Sequence, residues 1–492
     1  ITETVKYPPT MKSHTSMLRL SGYLAVTAAA PSLVSCGTAK APESRPNVIY
    51  IMADDLGYAD ITPYGQQLIE TPNIERLAAQ GMLLTQCYAG CTVSAPSRAS
   101  LMTGLHTGHT YVRGNYEIDP EGQCPMPAGT YTLGTLFSNA GYATGAFGKW
   151  GLGYPGSESV PSKVGFDRFY GYNCQRMAHT YYPDHLWDDD RRVDFPENVD
   201  PGRQTYSQDI IHAKALDFIH ENAEAGRPFF AYLAYTLPHA ELCLPHDEVY
   251  QHYVEKFKDA PADAKPWMTN GDYGTSEHPM ASFAAMVSRL DRYVGEVMAL
   301  LEKEGIADNT LIVFTSDNGP HREGGANPDF FHSYGPLRGC KRDMYEGGIR
   351  VPFIVSYPGH IAEGTKSDQI MAFWDIMPTF AELIGSSDTI TTDGISMLPS
   401  WTGGRQEQHP YLYWEFHELG GRQAVRMGDW KGIRLNVGND RTSFELYNLA
   451  DDIHEDRNVA AENPDITARI NEIMDTARTP SELFNFGRAV QK

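Results

Sequence analysis

Short apolar runs that alternate with amphipathic segments restrict most strongly how this chain can fold. Six runs have the length and content of buried strands, namely residues 47–53, 82–88, 143–147, 229–235, 310–316 and 351–357. Segments with helical character lie between them, at about 71–80, 133–140, 207–223, 280–304 and 375–384. This alternation predicts an α/β fold, with a large, mostly parallel sheet and helices on both of its faces.

Polar side chains follow four of these runs. They are Asp54, Asp55, Lys149, His239, Asp317 and Asn318. Because such sheets bind ligands beyond the carboxyl ends of their strands, we expect these side chains to converge. Asp54–Asp55 and Asp317–Asn318 offer only hard oxygen ligands, which suit Ca²⁺ or Mg²⁺ and not zinc. One such pair is more often a cap or a turn, but two pairs at two strand ends indicate a cation site.

From about residue 386 the pattern changes to short runs separated by turns. Residues 409–416, 421–427, 430–436 and 444–448 are typical of antiparallel strands, and 464–478 of a closing helix. We therefore predict an α/β domain over residues 46–385 and a smaller C-terminal domain over 386–492. The smaller domain is expected to be an antiparallel sheet with a helix packed on it.

The stretch around Ser94 combines a helix start with a nearby cation. Pro96 suits the first turn of a helix, because its missing N–H would be unpaired there anyway. Ser94 would then lie just outside the helix N-terminus, where backbone donors and the dipole favour an anion. Arg98 lies one turn further on and can direct its guanidinium to the same place. Taken alone, the pattern favours an ordinary N-cap serine.

The wider context of Ser94 carries a family resemblance. Ser94-x-Pro96-Ser97-Arg98, followed by Thr103-Gly104, resembles the signature of the type I, formylglycine-dependent sulfatases of the alkaline-phosphatase-like superfamily. Three further segments resemble the family's motifs, namely Gly148-Lys149-Trp150-Gly151, Pro238-His239 with Pro245, and Arg338-Gly-Cys-Lys341 with Glu346-Gly-Gly348. The resemblance extends from residue 46 to the C-terminal helix, and the serine version points to bacterial glycan sulfatases.

The resemblance implies a role for each matching residue. Ser94 would be converted to formylglycine, the catalytic aldehyde, by the maturation enzyme of serine-type sulfatases. One Ca²⁺ would be bound by oxygens of Asp54, Asp55, Ser94, Asp317 and Asn318. Arg98, Lys149 and Lys341 would supply positive charge around formylglycine and sulfate. His239 would give a proton to the departing sugar oxygen.

The chain departs from the family at Gly151, where many members carry a histidine that deprotonates the formylglycine hydroxyl. His106 and His109 are the nearest candidates in the sequence for this second acid–base role. The same two residues are explained equally well as histidines that face solvent at the C-terminal end of a helix.

The charge balance excludes one class of partner. Against 40 Lys and Arg the chain has 62 Asp and Glu, a net charge of −22, which argues against nucleic acid. A sulfated substrate is an anion too, so local cations must override the field of the whole protein.

Residues 11–36 resemble a lipoprotein-type signal peptide. An apolar run from residue 20 to 34 ends in Leu33-Val34-Ser35-Cys36, which resembles a bacterial lipobox with Cys36 as the lipidated residue. The run is too short to span a membrane, and residues 37–46 have the composition of a tether. We expect a periplasmic or outer-membrane-attached protein, anchored only through Cys36. An ordinary cleaved signal gives the same compartment without the anchor.

Residues 172–187 are rich in side chains suited to sugar hydroxyls and ring faces. We interpret His179, together with Glu323 and Arg350, as readers of a sulfated galactose or N-acetylgalactosamine unit, cleaved in an exo-acting mode. A well-packed aromatic loop explains the same segment equally well.

Two other functions remain open from the sequence. A phosphomonoesterase or phosphodiesterase of the same superfamily would need a second metal site, for which Asp317-x-x-x-His321 is the one candidate. A surface glycan-binding lipoprotein with an inactive site would leave Ser94 unmodified.

Overall fold

The computed structural model describes residues 45–199, 202–260 and 276–486, so the predicted signal peptide and Cys36 lie outside the described residues. Within these ranges, no helix combines the length and the apolar character needed to cross a membrane.

The strands are β1 (Asn47–Ala53), β2 (Met82–Tyr88), β3 (Ala143–Lys149), β4 (Arg168–Tyr172), β5 (His185–Asp188), β6 (Arg191–Asp194), β7 (Phe229–Ala234), β8 (Thr310–Ser316), β9 (Arg350–Ser356), β10 (Thr365–Ser367), β11 (Met371–Ala372), β12 (Leu412–Phe416), β13 (Arg422–Met427), β14 (Trp430–Leu435) and β15 (Ser443–Asn448).

The α-helices are α1 (Pro72–Ala79), α2 (Ser94–Thr103), α3 (Leu133–Asn139), α4 (Ser207–Glu224), α5 (Glu248–Lys256), α6 (Pro279–Lys303), α7 (Pro328–Phe331), α8 (Glu346–Ile349), α9 (Ile376–Leu383), α10 (Leu398–Trp401) and α11 (Pro464–Thr476).

The large sheet has the strand order β10-β2-β9-β8-β1-β7-β3-β4-β5-β6, with β11 also paired to β2. Its centre, β8-β1-β7-β3-β4, is parallel throughout, whereas β9, β5 and β6 run antiparallel to their neighbours. The predicted α/β class and mostly parallel sheet are therefore confirmed. The short antiparallel strands β5 and β6 have mostly exposed or half-buried side chains, so they carry none of the apolar signal that predicts a buried strand.

Helices cover both faces of this sheet because its central strands are apolar on both sides. Along β1, Ile49 and Ile51 pack into one core with side chains of α1, α4 and α6. The alternate residues Val48 and Tyr50 pack into a second core with α2, α3 and α9. Successive side chains of a strand point to opposite faces, so one strand contributes to both cores.

The C-terminal sheet is an antiparallel meander, β12-β13-β14-β15. One face packs against α11, through Ile470 and Met474. Trp414 on the other face packs beside Cys91 and Val93, and its indole N–H donates to the carbonyl oxygen of Ala89 at 2.9 Å. The predicted sheet-and-helix unit is confirmed, and it supports the loop that leads into α2.

Candidate active site

Four adjacent strands bring the polar residues together. Asp317 directly follows β8, and Asp54–Asp55 directly follow the neighbouring strand β1. His239 lies five residues after the end of β7, and Lys149 is the last residue of β3. The carboxyl ends of parallel strands share one edge, which explains why residues far apart in the sequence meet here.

Ser94 lies inside this convergence, at the start of α2. It is the first residue of the helix, so our placement of Ser94 just outside the helix was one residue off, a usual uncertainty at helix ends. Its Oγ donates to Asp54 Oδ1 at 3.2 Å and accepts from Lys149 Nζ at 3.2 Å. The side chain therefore bonds to other side chains and does not act as the ordinary N-cap that the local pattern favours.

Buried ion pairs surround the serine. Lys149 Nζ donates to Asp54 Oδ2 at 2.6 Å. Arg98 donates to Asp317 Oδ2 through Nε at 3.1 Å and through Nη2 at 2.9 Å. Asp317 Oδ1 accepts the backbone N–H of Asp55 at 3.0 Å, and Asp55 adopts a left-handed φ of 63°. A non-glycine residue at positive φ is uncommon, and such strain concentrates at functional sites.

Asn318 provides the observation that tests a cation site. Its Nδ2 donates to Asp55 Oδ1 at 2.7 Å and to the carbonyl oxygen of Gly319 at 2.9 Å. Its Oδ1 is buried and has no hydrogen-bond partner among the described residues. A buried acceptor without a partner is costly. Asp54, Asp55 and Asp317 follow the same adjacent strands and offer further oxygens, so these residues fit a hard, oxygen-bound cation such as Ca²⁺.

His239 and Lys341 form the other side of the site. Lys341 Nζ contacts Asp55 Oδ2 at 2.7 Å, His239 Nε2 at 3.0 Å and Glu323 Oε2 at 3.1 Å. Nδ1 of His239 faces the carbonyl oxygen of Ala240, so Nδ1 carries the proton of the neutral ring. Nε2 then accepts a hydrogen bond from Lys341 Nζ.

Burial and charge set the titration of these groups. Burial, with Lys341 second, holds the pKa of His239 well below its ordinary value, and burial lowers the pKa of Lys149. Burial alone would raise the pKa of Glu323, but Lys341 and Arg342 outweigh it and lower that pKa. Burial, then Asp54, raise the pKa of Asp317 against the opposing effect of Arg98. Glu323 is therefore held in its charged form by the cations beside it, whereas burial disfavours the charged form of Asp317 in spite of Arg98.

His321 is already satisfied by the backbone. Its Nε2 lies 3.1 Å from the carbonyl oxygen of Pro238, and its Nδ1 accepts the N–H of Glu323 at 3.2 Å. A metal at either nitrogen would break one of these bonds. The ligand atoms of His321, Asp55 and Glu323 lie within 4.8 Å of one another, so the second metal site of the phosphatase alternative could form here only by breaking one of these bonds.

His179 lies where a substrate reader is expected. Its ring stacks on that of His239, with 4.7 Å between centroids and 7° between planes. Burial and then Lys149 lower the pKa of His179 well below its ordinary value, so the ring is neutral. Together with Glu323, it borders the groups around Lys341.

The structure does not bring His106 and His109 to this site, which corrects the suggestion that they replace the histidine missing at Gly151. They follow the far end of α2, and a helix of ten residues spans about 15 Å. The two rings stack at 4.3 Å, and His109 Nδ1 lies 2.9 Å from Asp393 Oδ1. Burial lowers the pKa of His106 to about 4. They form a pair held by Asp393, away from Ser94.

Arg350 also lies elsewhere, which corrects its assignment to the substrate. It donates to Glu346 Oε2 at 3.2 Å, and Lys431 Nζ lies 2.9 Å from Glu346 Oε1 and 3.0 Å from Glu455 Oε1. Tyr88 donates its hydroxyl to Glu346 at 2.7 Å. We call Tyr88, Glu346, Arg350, Lys431 and Glu455 the Lys431 cluster. It lies between the large sheet and β14, and its charged groups pair with one another.

Three residues near the site were missed by our sequence analysis. Arg342 pairs with Glu323 through Nη1. Asn115 accepts from the N–H of Ala95, and Gln175 donates to the same oxygen of Asn115. Arg342 adjoins Lys341 and could have been suspected for that reason. Asn115 and Gln175 lie in irregular segments without periodicity, and no local signal identifies them.

An anion bound at Ser94 would meet fixed positive charge, a buried hydroxyl group and a set of oxygen ligands suited to a cation. The fold and the site together define the class of hydrolases of anionic esters, with oxygen ligands that could hold a metal ion.

Within this class, the chain belongs to the sulfatase family, in the alkaline-phosphatase-like superfamily. The family profile described as Sulfatase matches residues 46–386, and one described as N-sulphoglucosamine sulphohydrolase, C-terminal, matches residues 339–480. The predicted family and enzyme class, a sulfuric ester hydrolase, are thereby confirmed.

Named relatives act on glycans. The chain is 32% identical to N-acetylgalactosamine-6-sulfatase of Canis lupus familiaris, over 81% of this chain and 73% of the relative. It is 27% identical to N-acetylgalactosamine-6-O-sulfatase of Bacteroides thetaiotaomicron, over 88% and 93%. The crystal structure of Ps i-CgsB in complex with k-i-k-neocarrahexaose superposes with a TM-score of 0.72 at 28% identity, covering 88% of this chain and 92% of that chain.

Proposed function

We propose that this sulfatase removes a sulfate group from a galactose or N-acetylgalactosamine unit at the end of a glycan chain. The observation that carries the sulfate-ester chemistry is the buried Oγ of Ser94, held between Asp54 and Lys149 beside the unpaired Oδ1 of Asn318. The sugar is supported by the names of relatives that cleave N-acetylgalactosamine sulfates. A deeply buried nucleophile, 1% exposed, suits a chain end better than a chain interior.

Asp54, Asp55, Asp317 and Asn318 would hold one Ca²⁺, together with the oxygen at position 94. Bound there, the cation would supply positive charge for the sulfate oxygens and favour an ionised hydroxyl. The proposed ligands are all oxygens, and Asn318 Oδ1 is without a hydrogen-bond partner among the described residues, which supports a hard cation. The ligand atoms of Asp54 and Asp55 also lie close to His239.

Ser94 would be converted to formylglycine by the maturation enzyme of serine-type sulfatases, which would supply a hydrated aldehyde as nucleophile. Lys149 already donates to the oxygen of residue 94, and its amine orients that oxygen. Arg98, fixed by Asp317, and Lys341 place further positive charge along the same edge of the sheet.

His239 would act as the general acid toward the sugar oxygen. Nε2 carries no proton in the neutral ring, so it would take one from Lys341 Nζ, 3.0 Å away, as the sugar oxygen departs. Asp55 Oδ2 lies 3.3 Å from Nε2. The hydrogen bond of Nδ1 to Ala240 fixes the ring so that Nε2 is the nitrogen that delivers the proton.

His179 and Glu323 would read the sugar. His179 is neutral and stacked on His239, so it can exchange a hydrogen bond with a hydroxyl next to the scissile bond. Glu323 is a charged acceptor held by Lys341 and Arg342. A site that pairs a particular hydroxyl rejects an epimer lacking it, because its own polar groups are left unpaired.

The proposed function includes a cellular location. We infer export to the periplasm or the outer membrane, with a lipid anchor at Cys36. Radiolabelled palmitate should be incorporated by the wild-type chain and not by Cys36→Ala. A mature, unlipidated N-terminus would indicate an ordinary cleaved signal instead.

A screen of sulfated monosaccharides tests the function directly. The enzyme is matured in an anaerobic bacterial host, and the peptide containing Ser94 is weighed to detect the loss of two hydrogens. We expect release of sulfate from galacto-configured sugars, and a larger loss of this activity in His179→Ala than of activity on a small aryl sulfate. Preference for gluco-configured sugars would contradict the sugar assignment. Glycan binding with unmodified Ser94 and no cleavage would favour a binding protein.

A further inference from the structure

The backbone N–H next to Ser94 is bonded by a side chain from outside helix α2. Ala95 donates to Asn115 Oδ1 at 3.2 Å, and Gln175 Nε2 donates to the same oxygen at 3.1 Å. A carbonyl oxygen has two lone pairs, so this one is fully used. A backbone N–H can only donate, and this fixes which end of the Asn115 amide is the oxygen.

The other end of this amide is a donor on a half-buried side chain. Nδ2 of Asn115 carries two N–H groups, and no acceptor among the described residues bonds to it. The residue that Asn115 contacts, Ala95, is covalently bonded to Ser94. An open donor beside the group that attacks an anion is available to the oxygens of that anion.

Gly151 makes room for the partner of Asn115. Gln175 is buried, with 5% exposed, and a Cβ added at Gly151 would lie 3.0 Å from Gln175 Cγ. Gly151 also has a φ of +72°, which side chains rarely adopt. The departure at Gly151 is therefore accompanied by a neighbouring amide pair, Gln175–Asn115, which reaches the start of α2.

The loop that carries Asn115 is fixed from the C-terminal side. Arg113, two residues earlier, is 3% exposed and donates to Glu415 Oε1 at 3.0 Å and to the carbonyl oxygen of Thr479 at 2.9 Å. A donor held in place before the ligand arrives loses little freedom on binding.

We propose that Asn115 is an anion-binding residue of this site, positioned by Gln175, and that its Nδ2 donates to an oxygen of the sulfate group at residue 94. The inference rests on the proposed function, because it takes a sulfate ester as the anion. The donor is neutral, so it adds a hydrogen bond to sulfate without changing the charge of the site.

Asn115→Asp separates this role from helix capping. The variant keeps an acceptor for the Ala95 N–H and for Gln175, removes both donors and adds a negative charge. Asn115→Leu, which removes the donors without adding charge, is therefore measured beside it, and wild-type sulfate affinity in that variant would overturn the inference. We expect the Kd of inorganic sulfate, measured by calorimetry on the Ca²⁺-loaded and matured protein, to rise by about 10-fold or more. The value of kcat/KM should fall by about 10- to 100-fold, normalised to the fraction of residue 94 that mass spectrometry finds modified. The Tm should remain close to that of the wild type.

Gln175→Ala supplies a second test and the chain offers a matched control. Removal of Gln175 leaves Asn115 intact but less fixed, so sulfate affinity should fall by less than in Asn115→Asp. Gln369 and Gln408 form an exposed amide pair, with 2.8 Å between Gln408 Nε2 and Gln369 Oε1. Gln408→Ala should leave sulfate binding and activity unchanged.

The outcomes distinguish this inference from the function on which it rests. Wild-type affinity for sulfate in Asn115→Asp, in a protein that cleaves sulfate esters, would reduce Asn115 to a helix cap and overturn the inference alone. A matured wild-type protein that neither binds sulfate nor cleaves any sulfate ester would remove the proposed function as well.

Discussion

Two buried clusters of charge in this molecule use the same kinds of residue for different ends. The catalytic edge around Ser94 and the Lys431 cluster both pair carboxylates with Lys and Arg out of contact with water. In the Lys431 cluster, Glu346 faces Lys431, Arg350 and the Tyr88 hydroxyl. At the catalytic edge, Asn318 Oδ1 is buried without a partner among the described residues.

The comparison shows that burial and paired charge do not identify an active site. A shifted pKa does not distinguish the clusters either, since Glu346 titrates at about 2 because Lys431 and the neighbouring arginines outweigh its burial. The Lys431 cluster also has a buried oxygen without a hydrogen bond, Glu455 Oε1, but Lys431 Nζ lies 3.0 Å from it. The catalytic edge differs in its place at the carboxyl ends of the strands, where the unpaired oxygen is that of an amide, Asn318 Oδ1. Lys341 and Glu346 lie five residues apart in one sequence block, yet they belong to different clusters.

Ser94→Ala, at the catalytic edge, should produce the largest effect: it should abolish turnover and leave stability unchanged. We expect turnover to fall by at least about 10⁴-fold, because the nucleophile is removed. Stability should change little, since Ser94 Oγ bonds only to side chains that have other partners. Sulfate release and thermal melting measure the two effects. Ser100→Ala is the control, because Ser100 Oγ is buried in the same helix without a described partner. Residual turnover near the wild-type level would exclude Ser94 as nucleophile.

His239→Ala should reduce turnover of a sugar sulfate by about 10²- to 10⁴-fold. The loss should be smaller on nitrophenyl sulfate, whose leaving group needs no proton. The ratio of kcat values on the two substrates is the measurement. Equal losses on both substrates would show that His239 does not protonate the leaving group.

Lys431→Met should affect stability and spare the chemistry. It leaves Glu346 and Glu455 buried without their lysine, which is expected to cost about 3–5 kcal/mol in free energy of unfolding. Denaturant titration gives this value, and kcat per folded molecule should be unchanged. Lys366→Met, at an exposed lysine of β10, is the matched control. A loss of kcat with intact stability would assign the Lys431 cluster to the catalytic machinery.

Glu455→Gln should reveal the titration of the Lys431 cluster. Burial, partly opposed by Lys431 and reinforced by Glu346, raises the pKa of Glu455 from 4.5 to about 7. Between these values the folded protein holds a proton that the unfolded chain has lost, so stability falls as pH rises through this range. The variant should lack this fall, which amounts to about 1–3 kcal/mol. Unfolding curves of both proteins from pH 4.5 to 8 test this, and parallel pH dependences would contradict it.

His109→Gln should have the smallest effect. The pair of His106 and His109 lies beyond the far end of α2, so kcat should remain within about twofold of the wild type. The pH profile of kcat/KM should keep its shape. If kcat/KM of the variant no longer fell at one end of the pH range, these histidines would again be candidates for the second acid–base role.

The sequence predicted the parts of this molecule that depend on local pattern. The apolar runs predicted β1, β3, β7 and β8 of the parallel centre but not β4, and the polar residues after them predicted which side chains converge. The antiparallel strands β5 and β6 were not predicted either, because they are only four residues long and six of their eight side chains are exposed or half-buried.

The candidate site divides along the same line. Asp54, Lys149 and Asp317 follow strands, so strand order places them together. Arg350, which the sequence analysis assigned to the substrate, is the first residue of β9. Its short distance from Lys341 in the sequence does not determine which side of the loop its side chain faces. Asn115 and Gln175 meet only through the folding of two loops, and no single-sequence pattern encodes that contact.

The burial of Ser94 sets an order of events during biosynthesis. With 1% of its surface exposed and all of α2 buried, residue 94 is closed to any second protein once the helix has docked. An enzyme that modifies this side chain must therefore reach it while the chain is still unfolded. Strand β12, whose Trp414 contacts the loop before Ser94, is made more than 300 residues later. That length of chain must be synthesised before the C-terminal sheet can close over the loop, so the modifying enzyme has at least this time in which to act.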